Sequence, residues 1–336
     1  MHLNNLFMKS PFTGKEMKIM YENRTWNFRG EQYEYVHAVW VCADSGEKFT
    51  TDELDDVGFH QVTNQYRAKY GIPFCDEIVA IRDKYGISAA KMSQILGIGT
   101  NQWRNYEAGE VPSVSNGRMI RTIMNPKVFM DYVNSSRNII GEKEHSKLTS
   151  RLLSLIVESD MQNNQKYDLT RVFQCDRGVD NGFALQSLDR LKNIILYIIN
   201  QCGEVFYTKM NKLLFYADFL AYRKSGMALT GLSYRAIDFG PVPERWDRVY
   251  SQFDEIVQEP RSYGDKEGCV LVSAEKAHME AFTAAELEIL DVVCKHFSKY
   301  SSSDMTRISH EETAWIENKD GHKRIPYSAA FSLKAI

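Results

Sequence analysis

The spacing of apolar residues along the chain changes character several times. Residues 17–42 are rich in Tyr, Trp, Val and Phe, poor in helix formers and broken at Arg29-Gly30-Glu31, which predicts antiparallel strands. Residues 50–70 then have apolar side chains near one helical stripe, with Thr51 as a candidate cap. We therefore expect a small β-structure followed by a helix.

Residues 73–133 show short helices separated by turns. Apolar side chains at helical spacing stop at Gly86, at Gly97 and at Gly109, and glycine commonly follows the last turn of a helix. Ser88 and Thr100 are the predicted caps of the second and third helices. The third helix directs Trp103 and Tyr106 inward, and later helices begin near Pro112 and at Asn125-Pro126.

A less regular segment, residues 135–182, separates this region from the C-terminal half. It contains a stripe of Leu148, Leu152, Leu155 and Ile156, which predicts an amphipathic helix. Two turns are too few for a coiled coil. We expect ordinary packing of this helix on a neighbour.

The C-terminal half alternates strong helices with short strands. Stripes begin at Leu188 and Met210, and a further helix over 284–300 has a capping box of Thr283 and Glu286. We expect a strand over 233–238, a rigid turn at 239–243, and a second strand at 269–273. A last helix is predicted to begin with SHEETAW at 309–315, with His310 near its cap.

These patterns predict a mainly α fold with small β elements. Its parts are an N-terminal β-hairpin, a helix-turn-helix bundle and a C-terminal helical α+β domain. The predicted boundaries are 1–68, 69–134, a linker at 135–182, and 183–336.

Charge is unevenly distributed in the chain of 336 residues, whose net charge is −3. Residues 1–66 hold six Lys/Arg and ten Asp/Glu, whereas residues 67–140 hold ten Lys/Arg and six Asp/Glu. A basic region in an acidic chain favours a nucleic-acid contact there. The alternative is a solvated helical surface.

No apolar run is long enough for a membrane span, and the first ten residues lack the pattern of a leader peptide. The six cysteines have no paired spacing, which fits free thiols in a reducing, cytoplasmic setting.

Two tight turns, SPFTG at 10–14 and CADSGE at 42–47, have the spacing of a zinc knuckle. The four ligand positions hold Ser10, Thr13, Cys42 and Ser45. Zinc needs thiolate or imidazole ligands, usually four of them, so we predict no metal. Packing of Trp26, Phe28, Tyr35 and Trp40 is expected to stabilise the hairpin instead.

The third short helix carries the candidate DNA-binding residues. Two short helices joined by a glycine-containing turn form the DNA-binding unit, whose second helix enters the major groove. Amides pair with adenine, and arginine pairs with guanine or phosphate. The outward-facing residues are Thr100, Asn101, Gln102, Arg104 and Asn105. The alternative is a plain helical bundle with a solvated polar face.

The stretch ISAAKMSQILGIGTNQWRNYEAGEVPS resembles the XRE-type helix-turn-helix of MqsA-type antitoxins, and the upstream turns occupy the places of that family's cysteine pairs. The resemblance covers about residues 8–134. It implies that Asn101 and Asn105 contact operator bases. The sequence departs from the family at Ala89, where the family usually has Gln.

Four motifs in the C-terminal half, KLLFYAD (212–218), FGPVPE (239–244), SHEETAW and IPY (325–327), resemble the Panacea domain, the SocA-like antitoxin domain. The order and spacing match over about 183–330. The resemblance implies a bacterial toxin-neutralising module, of the kind tied to phage defence, without catalytic activity or cofactor.

The partners implied are a cognate toxin and operator DNA, bound as a homodimer on an inverted repeat. Aromatic side chains anchor interfaces, so Tyr216, Tyr222, Phe239 and Trp246 are the candidate toxin contacts, unless they belong to the core. His310 begins no His-Glu-x-x-His motif, since position 314 is alanine. The alternatives are a transcription regulator without a toxin and a SocA-like protease adaptor.

Overall fold

The computed structural model describes residues 8–161, 165–263 and 266–336. The expectation about a leader peptide falls largely on residues 1–7, outside the described residues. The predicted fold class is confirmed, since the chain is mainly helical with small antiparallel sheets. No helix in the described ranges is both long enough and apolar enough to cross a membrane.

Contacts along the backbone divide the chain into two units. The mixed unit comprises residues up to Val62 together with Tyr167–Ile336, and the helical unit comprises Thr63–Lys166. The N-terminal sheet therefore contacts the C-terminal half: the rings of Tyr21 and Phe331 lie 5.5 Å apart. The four predicted domain boundaries stay a prediction.

The N-terminal sheet of the mixed unit is a four-stranded antiparallel meander. Its strands are β1 (Met8–Lys9), β2 (Glu16–Phe28), β3 (Glu31–Cys42) and β4 (Lys48–Phe49), in that spatial order. Arg29 and Gly30 both have positive φ, 52° and 86°, as a two-residue hairpin turn requires. The strands and the break between them were predicted correctly.

Helix α1 (Asp52–Tyr70) follows the sheet. The Thr51 hydroxyl accepts a hydrogen bond from the Leu54 amide at 3.4 Å, which confirms the predicted cap. The side-chain amide of Gln61 bonds both the amide and the carbonyl of Val36, at 3.1 and 2.9 Å. Because this amide bonds the edge of β3 at Val36 as another strand would, it ties the middle of the helix to the sheet.

Over the residues that the structure describes, the helical unit continues with seven further helices. They are α2 (Cys75–Tyr85), α3 (Ala89–Leu96), α4 (Gln102–Glu107), α5 (Val114–Thr122), α6 (Pro126–Ser135), α7 (Arg137–Ile140) and α8 (Glu142–Met161). Gly86 and Gly97 are left-handed C-caps, and Ser88 caps α3. Leu148, Leu152 and Leu155 are buried in the core of this unit, so the predicted stripe does pack on its neighbours.

The C-terminal part of the mixed unit contains the remaining elements. The helices are α9 (Gln165–Val172), α10 (Leu188–Cys202), α11 (Tyr207–Ser225), α12 (Trp246–Val249), α13 (Ala284–Phe297), α14 (Ser302–His310) and α15 (Thr313–Ile316). The strands are β5 (Val205–Phe206), β6 (Tyr234–Ile237), β7 (Gly240–Pro243), β8 (Val257–Tyr263) and β9 (Lys266–Val272). Thr283 and Glu286 form the predicted capping box of α13.

The turn predicted at 239–243 was wrong. Residues 240–243 are not a turn but strand β7, which pairs with β6. Pro241 and Pro243 are compatible with this pairing because they are two residues apart in the strand. Both therefore lack their N–H group on the edge of β7 that faces away from β6. The strand predicted at 269–273 is confirmed over most of its length. Most of its residues belong to β9, which pairs with β5 and with β8, a strand that the sequence analysis missed.

The last helical segment also differs from its prediction. SHEETAW was expected to begin a helix, but His310 is the last residue of α14 and Glu312 is the N-cap of the next helix, α15. The earlier start at Ser302 comes from a capping box of Ser301 and Asp304. A turn inside the motif thus separates His310 from Trp315, and their rings stack at 3.9 Å.

Candidate functional site

Buried contacts fix the position of helix α4 on α3. The Trp103 amide donates to the Ser93 hydroxyl at 3.0 Å, and both residues are fully buried. The indole N–H of Trp103 donates to Glu107 at 2.9 Å, and Glu107 also pairs with Arg82 on α2 at 2.5 Å. Since its inner face is held to Ser93 on α3 and to Arg82 on α2, α4 presents its outer face in one orientation.

The outer face of α4 and of the turn before it is polar, and we call it the reading face. Its members are Thr100, Asn101, Gln102, Arg104 and Asn105. All are exposed except Gln102, which is half-buried and donates to Glu110 at 2.7 Å. The predicted division between this face and the buried Trp103 and Tyr106 is therefore present in the structure.

The predicted helix cap at Thr100 was wrong. Asn101 is the N-cap residue of α4 and makes no side-chain capping bond. The Gln102 amide instead donates to the Gly99 carbonyl at 2.8 Å, and the Trp103 amide donates to the Ser93 hydroxyl. Thr100 consequently lies in the turn, with its side chain free to face solvent.

A shallow concavity of about 530 Å³ adjoins the reading face. Residues of α3 and of the following turn line it, among them Ser88, Lys91, Gln94 and Thr100. Lys91 and Arg104 place positive charge on this side of the helical unit. The surface thus combines hydrogen-bonding side chains with cationic ones.

A buried carboxylate organises the C-terminal half. Asp218 on α11 is inaccessible to solvent and accepts hydrogen bonds from the amides of Leu229 and Thr230, both at 2.8 Å. It also accepts from the Thr230 hydroxyl and, at 2.7 Å, from the Tyr234 hydroxyl. Burial raises the pKa of Asp218, and these bonds oppose the increase. The carboxylate joins α11 to the loop that leads into β6.

Lys212, at the start of the same motif, is also fully buried. Among the residues that the structure describes, its Nζ has no hydrogen-bond partner, and burial lowers its pKa to about 7. Gly240 packs against it: a Cβ on that glycine would lie 3.2 Å from Nζ and 2.5 Å from the Ser309 hydroxyl. Glycine is thus required here both for its φ of 98° and for space.

The other motif carboxylates are also engaged internally. Glu244 accepts hydrogen bonds from Ser233, Arg235 and Arg324 at 2.7–2.8 Å. Glu312, which is 1% exposed, accepts from the Tyr216 hydroxyl at 3.2 Å and from two backbone amides near the C-terminus. These contacts connect α11, β7 and α15 to the last residues of the chain.

We call Lys212, Asp218, Gly240, Glu244 and Glu312 the motif cluster. These residues come from three of the four sequence motifs, and the side chains of the four charged ones are buried or nearly so. The contacts of the three carboxylates hold elements of the domain together and leave few of these polar atoms accessible to a partner. Contacts to another molecule must therefore come from the residues around the cluster.

Two of the four predicted toxin contacts are not on the surface. Tyr216 is 0% and Tyr222 7% exposed, because α11 is buried on all sides over most of its length. Their predicted exposure was wrong, and the alternative that they belong to the core is correct. Phe239, at the tip of the β6–β7 hairpin, is 68% exposed, and Trp246 is 38% exposed.

The two N-terminal turns share one geometry. In each, the first residue's carbonyl accepts from the glycine amide at 2.9 Å, as in Ser10–Gly14 and Cys42–Gly46. The Thr13 hydroxyl lies 3.6 Å from the Cys42 sulfur. Hydrogen bonds from Ser45, and then from Ser10 and Thr13, lower the pKa of Cys42 to about 6. The four positions converge, but one thiol and three hydroxyls do not fit a zinc ion.

No group of three or more His, Cys, Asp or Glu side chains in the described parts of the chain is placed to hold a metal ion. The sequence analysis missed the roles of Lys212 and Asp218. A signal was present, since these polar residues interrupt a stretch that is apolar on every helical face from 210 to 222. A helix of that kind is buried, so its charged residues must be buried with it.

Residues 210–316 match the protein-family model described as "Antitoxin SocA-like, Panacea domain". The matched segment begins within α11 and ends with α15, so it contains Lys212, Asp218, Gly240, Glu244 and Glu312. No curated protein and no solved structure matches the chain.

Proposed function

We propose that this protein is an antitoxin that neutralises a cognate toxin by direct binding through its C-terminal domain. The similarity of residues 210–316 to the SocA-like antitoxin domain is the observation that carries this proposal. The buried motif cluster supports a binding rather than a catalytic role, because its carboxylates are already saturated with hydrogen-bond donors. Such a domain neutralises sterically, when its folded surface covers the toxin.

Phe239 and Trp246 are the aromatic contacts that we propose for the toxin. Exposed aromatic side chains contribute strongly to protein interfaces when they are buried by a partner. Phe239 projects from a hairpin that is fixed next to its tip: Trp315 donates to the Ile237 carbonyl, two residues before Phe239, at 2.8 Å. A contact residue on a rigid support loses little conformational entropy on binding.

Co-expression tests this function. The toxin candidate is the product of the gene adjacent to the one that encodes this chain. We expect its expression to stop growth, and co-expression of the full chain to restore growth. A purified complex of the two proteins should be stable in gel filtration. A neighbouring product that is harmless, or that remains toxic and unbound, would contradict the proposal.

We further propose that the helical unit binds operator DNA through the reading face and represses its own operon. Exposed amide and guanidinium groups on a rigidly held helix suit major-groove contacts. The six residues of α4 offer few base contacts, so a dimer on an inverted repeat is expected to supply the second half-site.

Footprinting of the promoter with the full chain tests this second role. We expect protection of two half-sites about one helical turn apart. If co-expression does not restore growth but the full chain alone protects the promoter, the alternative function is that of a transcription regulator without a toxin. If the promoter stays unprotected at protein concentrations high enough to saturate a specific site, the proposed DNA-binding role is contradicted.

A further inference from the structure

Strand β2 of the mixed unit has an open edge along most of its length. β1 pairs with it at Glu16 and Met17, and over the residues that the structure describes only β3 pairs with the rest of it. Residues 18–27 therefore have a neighbouring strand on one side. β2 contains no proline, and its register with β3 skips no residue. Proline and bulges commonly block an exposed edge, and this edge has neither.

The hydrogen-bonding groups of this edge belong to the odd-numbered residues. On the side of β1, the Ser10 amide donates to the carbonyl of Lys15, directly before β2, at 2.8 Å. Because the direction of these groups alternates with every residue of an antiparallel strand, odd-numbered residues of β2 point to the same side as Lys15. The N–H and C=O groups on the open edge are therefore those of Ile19, Tyr21, Asn23, Thr25 and Asn27.

The side chains along this edge are also largely exposed. Over residues 18–27 all are exposed except Ile19 and Glu22, which are half-buried. Three of the exposed side chains are large and apolar: Met20 is 49%, Tyr21 39% and Trp26 37% exposed. Apolar side chains beside unpaired backbone groups are what a strand from another chain covers when it extends a sheet.

The charges of β2 are complementary to those of a second copy of the same strand. If two copies pair antiparallel about a two-fold axis at Asn23, Glu22 of each copy lies opposite Arg24 of the other, and Met20 lies opposite Trp26. Opposite charges and apolar–aromatic pairs directly across from each other stabilise a sheet. An axis one residue away, at Glu22 or at Arg24, would place like charges opposite each other.

We propose that the chain forms a homodimer in which the β2 strands of two copies pair antiparallel about Asn23. The sheet then continues from β4-β3-β2 of one copy into β2-β3-β4 of the second. Since the same edge is used by both copies, the assembly closes as a two-fold dimer. Within one copy Glu22 already pairs with Arg24 at 2.9 Å and with Lys48 at 2.5 Å, so the dimer joins two clusters of paired charges.

Crosslinking at the axis tests the register, with the full chain and without toxin or DNA. In a hydrogen-bonded antiparallel pair the Cα atoms lie about 5.5 Å apart, within the range of a disulfide. We therefore expect Asn23→Cys to give a covalent dimer under mild oxidation, seen on a non-reducing gel. The unsubstituted chain, with its six cysteines, sets the background.

Thr25→Cys is the matched control, because Thr25 is also exposed and lies on the same face of β2. In the proposed register Thr25 is opposite Tyr21, so the two introduced thiols would be about 14 Å apart along the strands and should not crosslink. Equal crosslinking of the two variants, or none above background in either, would overturn the proposal.

Charge reversal tests the partner, with the dissociation constant of the dimer measured by light scattering. Glu22→Arg and Arg24→Glu each place like charges opposite each other, and each should raise this constant at least about tenfold. A mixture of the two variants has opposite charges at both positions and should dimerise again. The crosslink remains decisive if either single variant fails to fold.

Two results would overturn the homodimer. One is a wild-type chain that stays monomeric, whether its β2 edge remains open, is covered by another segment of the chain or is taken by a different protein. The other is a dimer that Glu22→Arg and Arg24→Glu each form as tightly as the wild type does, because that dimer would use another surface.

Discussion

The reading face and the motif cluster are built from similar residue types with opposite orientation. Both lie on or beside a helix, and both contain amide, hydroxyl or charged groups. On α4, one side is anchored by Trp103 and the polar side faces solvent. On α11, Lys212 and Asp218 are fully buried. Polar residues in the first case are available to a partner, and in the second they determine the fold.

This difference separates the effects that substitutions should have. A polar residue on an exposed face contributes to binding and little to stability, whereas removal of a buried one leaves unpaired donors inside the protein. Measurements of stability and of binding on the same variants therefore test whether the two regions differ as the structure indicates.

The largest expected effect is that of Asp218→Ala. Four donors lose their acceptor, so we expect the free energy of unfolding to fall by about 3–5 kcal/mol. Urea denaturation measures this change. Asp238→Ala is the matched control, since that carboxylate is exposed on the β6–β7 hairpin and should change stability by less than about 0.5 kcal/mol. Equal effects of the two variants would contradict the buried role of Asp218.

Lys212→Met should have the next largest effect, with the opposite sign. It replaces a buried amine, which has no hydrogen-bond partner among the described residues, by an apolar side chain. We therefore expect stabilisation by about 1–4 kcal/mol near neutral pH. Burial lowers the folded-state pKa of Lys212 from 10.5 to about 7. The unfolded chain therefore holds more protons on this group between those two values, and wild-type stability rises with pH across that window.

The Lys212→Met variant should lose this pH-dependent gain, and the difference between the two proteins should shrink as pH approaches 10. Urea denaturation of both proteins at a series of pH values above 7 measures it, and staying above 7 avoids the titration of His310, whose pKa is lowered by burial and by Lys212. A constant difference over the whole window would show that the pKa of Lys212 is the same in the folded and unfolded states, and would contradict the lowered value.

Asn101→Ala and Arg104→Ala should affect DNA binding and leave stability unchanged. If these residues contact bases, each loses about 1–3 kcal/mol of specific operator binding, measured by fluorescence anisotropy at fixed salt. Lys143→Ala, an exposed charge elsewhere in the helical unit, is the control for the general loss of positive charge. If both variants bind the operator as tightly as the wild type does, Asn101 and Arg104 do not contact the DNA.

Phe239→Ala should have the smallest effect, confined to the toxin complex. We expect a loss of about 1–2 kcal/mol in toxin affinity from the apolar surface that binding buries, measured by calorimetry, with no change in the unfolding midpoint. Phe12→Ala is the control, because Phe12 is also strongly exposed, at 72%, but lies in the first N-terminal turn. If Phe239→Ala unfolds the domain, its role is structural.

The sequence determined those parts of this protein that depend on local interactions. The β2–β3 hairpin with its break at Arg29-Gly30, the caps at Thr51, Ser88 and Thr283, and the inward direction of Trp103 were predicted from neighbouring residues. Each depends on interactions between residues a few positions apart, so periodicity and capping preferences are sufficient to identify it. The mainly α fold class follows from the same patterns.

The tertiary structure decided which side chains are buried and which strands pair. Tyr216 and Tyr222 were candidates for a surface and are core, because α11 is enclosed by elements distant in sequence. The pairing of β5 with β9 and the hydrogen bond between Tyr216 and Glu312 also join distant segments. Such contacts depend on the packing of the whole domain, which the residues near each one in sequence do not specify.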